Sequence, residues 1–279
     1  MFGAFPSWYA TMFSSLYLAL VLLLVSLIVR GVSFEYRGRR NGLRWRRTWD
    51  WLLTLGSLLA PFLIGVALGD LLAGLPIDAD EEFTGSFWSL LTPYGIFVGL
   101  TLVTLSVLHG ATFITLRTTD DLRERAAALA RRAAPVAAVA VLIFAIWTQV
   151  MVNRGVVPGL IQVGAVLAIL AVVWLIRDNH EGWAFGMTTI AMATTVLTIF
   201  TYLYPRVMVS STNPDYDLTV TGTSASPYAL KVLTIVALVL VPVVLVYQGW
   251  SYYVFRNRIS VADLEEQGSE HATAAPAGD

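Results

Sequence analysis

Seven stretches of this chain run for 19 to 34 residues without a single Asp, Glu, Lys or Arg. Because the hydrocarbon core of a bilayer is about 30 Å thick, roughly 20 helical residues are needed to cross it. Lipid offers backbone amides no hydrogen-bond partner, so such a stretch has to be helical. A transmembrane β-barrel would alternate in polarity over about 10-residue segments, and none of these stretches does. The pattern therefore predicts an all-α, polytopic transmembrane helix bundle.

The polar, proline and glycine residues that flank these stretches set the limits of the predicted helices. Those helices cover residues 8–33, 48–73, 89–116, 132–153, 156–176, 183–204 and 228–255. We assign residues 1–260 to one transmembrane domain. The tail 261–279 is rich in Ala, Glu and Gly and has the composition of a disordered segment.

The basic residues are unevenly divided between the two sides of the predicted membrane. One side carries 15 of the 18, namely Arg30, Arg37, Arg39, Arg40, Arg44, Arg46, Arg47, Arg117, Arg123, Arg125, Arg131, Arg132, Arg177, Arg256 and Arg258. Cytoplasmic loops of membrane proteins carry such an excess of Arg and Lys. We therefore expect this side, and with it the C-terminal tail, to face the cytoplasm.

Several classes of function are excluded by composition. The chain has no cysteine, so disulfides, thiolate haem ligation and Cys-based zinc sites are ruled out. A net charge of -1 argues against a nucleic-acid partner. His109 is the one histidine inside a predicted helix. Haem iron with two protein ligands would need another from a facing helix, so His109 alone does not predict a haem site.

Small residues spaced four apart occur in three predicted helices, and this spacing lets two helix backbones approach closely. The pairs are Gly65 with Gly69, Gly95 with Gly99, and Gly182 with Gly186. Together they predict a compact bundle.

Few ionisable residues lie near the predicted hydrocarbon. Arg30 closes the first helix, Glu35 follows it, and Asp50 opens the second helix. One interpretation is structural, with Arg30 snorkelling to the interface and Asp50 favoured by the helix dipole. The other places Arg30, Glu35 and Asp50 together on a proton route or a contact with a partner subunit. Asp70, near the outer end of the second helix, is expected at the interface.

Long blocks of sequence carry a resemblance to a known family. The first begins at Phe2 and reads FGAFPSWYATMFSSLYLALVLLLVSLIVRGVSFEYRGR, and the second begins at Arg44 and reads RWRRTWDWLLTLGSLLAPFLIGVALGDLLAGLP. The short blocks GATFITLRT, from Gly110, and WAF, from Trp183, follow. The last block reads VPVVLVYQGWSYYVFRNRIS. In these blocks the chain resembles subunit II of the cytochrome bd-type quinol oxidases.

The resemblance implies a fold of nine helices built from four-helix-bundle units, of which seven are visible here. Members of the family carry a GFDFGVG-like and a WDGNEVW-like segment on two earlier helices, and this sequence lacks both. We expect these two helices to be encoded upstream of the first codon; the alternative is that the chain is a truncated paralogue.

The resemblance also implies a function. The family oxidises a quinol, ubiquinol or menaquinol, and reduces oxygen to water through haem b and haem d, with protons taken from the cytoplasm. It implies a bacterial inner-membrane location, a haem-bearing subunit I as partner, surrounding membrane lipid and in some members a small single-helix subunit. Subunit I holds the haems, so this chain is expected to supply no haem ligand.

Within the matching blocks, Arg30 in LIVRG and Asp50 in RTWDW fall at positions that the family pattern marks as functionally sensitive. Two alternatives stay open, a non-catalytic scaffold subunit and a stand-alone carrier. No Asp, Glu, Lys or Arg lies in the middle third of a predicted helix, which disfavours an ion-coupled carrier.

Overall fold

The computed structural model describes residues 2–152 and 155–255, so the predicted disordered tail lies outside the described residues. Seven of its helices are long and apolar enough to cross a membrane. They are α2 (Tyr17–Tyr36), α3 (Leu43–Ala73), α4 (Pro93–Arg117), α5 (Asp120–Val152), α6 (Val156–Arg177), α7 (Glu181–Leu203) and α9 (Pro227–Val254). The short elements are α1 (Pro6–Ser15), β1 (Arg206–Met208), β2 (Leu218–Thr219) and α8 (Val220–Thr223). The prediction of an all-α membrane bundle is confirmed.

The predicted helix limits differ from the structure most clearly at two places; the helices predicted to begin at 48 and 89 begin at Leu43 and Pro93. The helix predicted over 8–33 is interrupted at Leu16, where the hydroxyl of Ser15 bonds back to the Thr11 carbonyl, a local alternative to regular helix bonding. The helix predicted to begin at 132 begins at Asp120. The prediction placed the start of this helix after the last charged residue of the connection. The helix begins earlier, outside the hydrocarbon, because its alanine-rich first segment favours helix in water as well.

Consecutive long helices run antiparallel, so the bundle has two distinct ends. The basic end holds the α2–α3, α4–α5 and α6–α7 connections. The cap end holds the other connections, where β1 pairs antiparallel with β2 and Leu75 bridges to Ser210. An ion pair between Arg206 and Asp217, 2.9 Å long and largely buried, stabilises this cap. The sequence did not predict structure in the segment 206–223.

The backbones of α3 and α4 approach closely at a crossing that uses two of the three predicted glycine pairs. A Cβ added at Gly65 would lie 2.6 Å from the Cα of Gly99, and one at Gly69 would lie 2.7 Å from the Cα of Gly95. Real Cβ atoms do not come so close, so only glycine permits this contact. Among the described residues, nothing lies within 4 Å of Cβ atoms added at the third pair, Gly182 and Gly186, so the packing role predicted for this pair is wrong within the described chain.

Helices α4, α5, α6 and α7 form a four-helix unit whose interior at the basic end consists of small and aliphatic side chains. Ala126, Ala130, Ala134 and Ala137 give α5 a smooth buried stripe. Lipid removes the usual hydrophobic drive for helix association, so close packing of small residues has to hold such a unit together. Helix α3 packs on α4, and α2 packs on α3.

Candidate functional site

The predicted residues Arg30, Glu35 and Asp50 lie at the basic end, on the hairpin formed by α2 and α3. Gly56 brings the two helices together there, because a Cβ at this position would lie 2.6 Å from the Ser26 carbonyl oxygen and 3.3 Å from the Arg30 Cβ. The structure therefore places the backbone of Arg30 at a tight helix crossing. Its side chain remains exposed.

Asp50 has a partner that the sequence did not identify. The Arg37 Nε donates a hydrogen bond of 2.5 Å to Asp50 Oδ1, across the α2–α3 connection. This bond and the attraction of the carboxylate raise the pKa of the Arg37 guanidinium. The two side chains are 52% and 47% exposed, so the carboxylate remains open to water or to a partner.

Glu35 and Arg30 are not part of that ion pair. Glu35 lies 3.5 Å from Arg39 one helical turn away, and both side chains are largely exposed. Arg30 has no carboxylate within 4 Å among residues 2–152 and 155–255. The three predicted residues thus share one hairpin, but no ion pair joins them to each other.

Asp70 occupies a different position from the interfacial one expected. It is completely buried near the cap end of α3, beside the glycine crossing. The Thr92 hydroxyl donates a hydrogen bond of 2.6 Å to Asp70 Oδ1 and accepts one of 2.9 Å from the Gly95 amide. The second carboxylate oxygen of Asp70 has no partner within the described chain. Burial of this group is a feature that hydropathy alone did not reveal.

A second buried polar cluster joins four helices near the cap end. The hydroxyls of Tyr94 and Thr148 share a hydrogen bond of 2.8 Å between α4 and α5. The Tyr202 hydroxyl on α7 donates to the side-chain oxygen of Gln162 on α6 at 2.6 Å, and it also contacts Gln149 on α5. Gln162 donates in turn to the Ala145 carbonyl. The cluster satisfies buried polar groups and fixes the register of the four helices.

An apolar groove lies against this cluster, between α5 and α6. Its volume is about 600 Å³, and its walls are aliphatic apart from Gln149 and Gln162. These side chains offer no iron ligand and no acid or base.

His109 is the intramembrane residue closest in type to a haem ligand. Its Nδ1 shares a hydrogen bond of 2.8 Å with the Thr188 hydroxyl, and its ring stacks on Phe185 at 4.7 Å. The other histidine of the described chain, His180, lies in the α6–α7 connection and contacts Asp178. Each histidine has its own partners, and no hydrogen bond or ring contact joins the two within the described residues, which therefore show no bis-histidine pair.

Comparisons with known proteins agree with the resemblance. The model of the family described as cytochrome bd terminal oxidase subunit II matches residues 1–255. The cytochrome bd ubiquinol oxidase subunit 2 of Bacillus subtilis is 44% identical over 264 residues, covering 93% of this chain and 78% of the relative.

More distant relatives match over a similar extent. The cytochrome bd-I ubiquinol oxidase subunit 2 of Escherichia coli K12 is 33% identical, covering 95% of this chain and 80% of the relative. A probable cytochrome oxidase subunit 2 of Haemophilus influenzae is 31% identical over the same shares. The match runs through all seven long helices and the basic hairpin. This chain therefore belongs to the family of cytochrome bd terminal oxidase subunit II.

Proposed function

We propose that this chain is the second subunit of a respiratory quinol:oxygen oxidoreductase and pairs with a haem-bearing subunit I. Quinol, as ubiquinol or menaquinol, is oxidised by the complex, and oxygen is reduced to water with protons taken from the cytoplasm. The observation that carries the proposal is the family match over residues 1–255, with identity as high as 44%.

The distribution of ligands supports a division of labour between the subunits. In the proposed complex, haem b and haem d transfer electrons and bind oxygen, and subunit I holds them. His109 is held by a hydrogen bond from its Nδ1 to Thr188 and by stacking on Phe185, and the groove between α5 and α6 is lined by no His, Cys or Met side chain. The chain would then support and enclose the haem-bearing subunit.

The outer surface of α9 supports a partner in the membrane. No residue of α9 is buried, although the helix is 28 residues long. It meets the rest of the chain near its ends, where Leu233 lies against Gly3 and the Phe255 carbonyl accepts a bond of 2.7 Å from Arg117. We propose that subunit I covers part of α9 and the exposed face of α2. A small single-helix subunit and membrane lipid are the other expected neighbours.

Orientation follows from the charge at the basic end. In the proposed bacterial inner membrane this end, with its arginines, faces the cytoplasm, and the C-terminus lies on the same side. Arg30, Glu35 and Asp50 would then be at the side from which protons enter. Asp50, half exposed and held by Arg37, is the strongest candidate for a proton relay or a contact with subunit I.

The second candidate function is that of a non-catalytic scaffold subunit, and one observation favours it. Arg30 and Glu35 are exposed surface residues with no enclosed site around them, as expected of interfacial anchors. The two candidate functions predict different effects on oxygen uptake and haem content when these side chains are removed.

The test of the family function compares membranes from cells with and without the intact gene. We expect the haem d signal in the reduced-minus-oxidised absorption spectrum to disappear with the gene and to return on complementation. An unchanged spectrum would overturn the oxidase proposal.

The test of the site uses Asp50→Ala, Arg30→Ala and Glu35→Ala in the complete oxidase. If these residues serve protons, quinol-dependent oxygen uptake falls by about tenfold while haem content falls much less, because only proton delivery is slowed. The control is Asp121→Ala, whose carboxylate also pairs with an arginine, Arg125, at the basic end. Equal losses of uptake and haem content would support the scaffold instead.

A further inference from the structure

Aromatic rings and arginines are interleaved where α2 ends and α3 begins. Trp45 and Trp49 are 5.5 Å apart between ring centroids, and Trp49 is 5.4 Å from Tyr36. The Trp45 indole nitrogen donates a bond of 2.8 Å to the Tyr36 carbonyl, which ties the two helix ends together. We call this surface the aromatic–arginine patch; it consists of Tyr36, Arg39, Arg40, Arg44, Trp45, Arg47 and Trp49.

Two of its arginines lie over aromatic rings. The guanidinium carbon of Arg40 lies 4.9 Å from the ring centroid of Trp45, and that of Arg39 lies 5.8 Å from the ring centroid of Tyr36. Stacking of this kind holds a guanidinium over the ring face while its N–H donors stay free at the edge. The patch therefore presents ordered donors.

The protein neutralises only part of the positive charge of the patch. Residues 35–50 contain six arginines against the carboxylates of Glu35 and Asp50, a net charge of +4. Those carboxylates pair with Arg39 and Arg37. Arg40, Arg44 and Arg47 are exposed, and none has a carboxylate within 4 Å in the part of the chain that the structure describes.

The neighbouring hairpin at the same end is different. Arg123 forms a 3.0 Å ion pair with Glu181, Arg125 pairs with Asp121 at 2.6 Å, and Arg117 donates to the Phe255 carbonyl. Acidic residues in and near the α4–α5 connection thus neutralise part of the positive charge of this hairpin. Arg131 and Arg132 on α5 are also exposed and have no carboxylate within 4 Å in the described chain. Membrane orientation explains a basic end, but it does not explain why the α2–α3 hairpin combines unpaired arginines with a cluster of Trp and Tyr rings.

We infer that the aromatic–arginine patch binds the phosphodiester headgroup of an anionic glycerophospholipid. Guanidinium groups bind phosphate through paired N–H donors, and Trp and Tyr rings favour the headgroup level of a bilayer. An exposed apolar side chain, Trp51 at 64% exposure, extends the patch along α3 toward the hydrocarbon, one helical turn beyond Arg47. This position suits the glycerol and first acyl carbons of a lipid, which a soluble phosphate lacks.

The test uses the full chain purified with its associated subunits in mild detergent. An equimolar mixture of phosphatidylglycerol and phosphatidylcholine is added, and native mass spectrometry measures the ratio of the two lipids retained. We expect the native protein to prefer phosphatidylglycerol. In the variant R40Q/R44Q/R47Q, retention of phosphatidylglycerol should fall by about fivefold for each arginine neutralised.

The matched control is R125Q/R131Q/R132Q, which removes the same number of charges from the same end and should retain the preference. Trp45→Leu removes the ring platform without changing charge and should lower phosphatidylglycerol retention severalfold; it serves as the test if the triple variant does not fold, as judged by circular dichroism. Equal losses in patch and control triples would overturn the proposal. So would unchanged retention in the patch variants, or complete displacement of the lipid from the native protein by inorganic phosphate.

Discussion

The α3–α4 crossing and helix α9 both consist of apolar sequence, but the crossing is packed within the chain and α9 is exposed. At the crossing, Gly65 and Gly69 lie against Gly99 and Gly95, and the polar pair Asp70 and Thr92 is enclosed beside them. Helix α9 contains the most apolar window of the seven described spans, yet none of that window is buried. Hydropathy therefore indicates that a segment lies in the membrane, but it does not indicate whether the segment packs within the chain.

The substitution expected to have the largest effect on stability lies at the α3–α4 crossing. Gly65→Leu would place its Cβ 2.6 Å from the Gly99 Cα and 2.9 Å from the Val98 carbonyl oxygen, so α3 and α4 would have to separate. We expect a loss of about 3 kcal/mol in the free energy of unfolding. Denaturation in mixed detergent micelles, followed by circular dichroism, measures it.

Gly186→Leu is the control for that substitution, because an added Cβ there meets nothing within 4 Å. It should leave stability unchanged or raise it by up to about 1 kcal/mol, since leucine favours helix over glycine. Similar losses at Gly65 and Gly186 would show that the crossing is not the special contact described here.

The buried polar pair beside the crossing should give the next largest effect. Thr92→Val removes the hydrogen bond to Asp70 and the cap of the Gly95 amide, leaving a buried carboxylate without a donor. The expected cost is about 1–3 kcal/mol of unfolding free energy, measured in the same micelles.

Two further variants sharpen that prediction. Asp70→Asn added to Thr92→Val should recover part of the loss, because it removes the charge that would be stranded. Thr84→Val, at an exposed hydroxyl with a 3.3 Å bond to Pro76, should change stability by less than about 0.5 kcal/mol. If the double variant is less stable than Thr92→Val alone, Asp70 is not held as a charged group by Thr92.

The smallest effect on the chain itself is expected in α9. The variant L238A/V241A/L245A shortens three exposed side chains on one face of the helix. It should change the unfolding free energy of the chain by less than about 0.5 kcal/mol. V236A/L240A/V243A trims the opposite face and should do the same. In the complete oxidase, one of the two triples should reduce co-purification with subunit I. A stability loss in the chain alone as large as that of Thr92→Val would mean that α9 packs within the chain.

Much of the fold was predictable because its causes are local. Charge-free stretches long enough to span hydrocarbon identified all seven long helices. The glycine spacing predicted close helix packing, which forms where α3 crosses α4, but it also predicted close packing at Gly182 and Gly186 that is not found among the described residues. Small residues four apart allow another helix to approach closely. Whether a helix lies there depends on the path of the connecting segments.

The candidate site was less predictable, because it depends on which side chains meet. The sequence placed Arg30, Glu35 and Asp50 on one hairpin, but it gave no means of selecting Arg37 from six arginines as the partner of Asp50. Asp70 was expected at the interface because it lies near a helix end. The cap end, whose β1–β2 pairing covers that region, had no periodic signal in the sequence.

The most direct test of the proposed assembly is purification through an affinity tag on this chain from bacterial membranes in mild detergent. We predict that a haem-bearing subunit co-purifies and that the reduced complex shows the absorption of both haem b and haem d. Recovery of the intact chain without any haem-bearing partner, from membranes that contain haem d, would contradict the account.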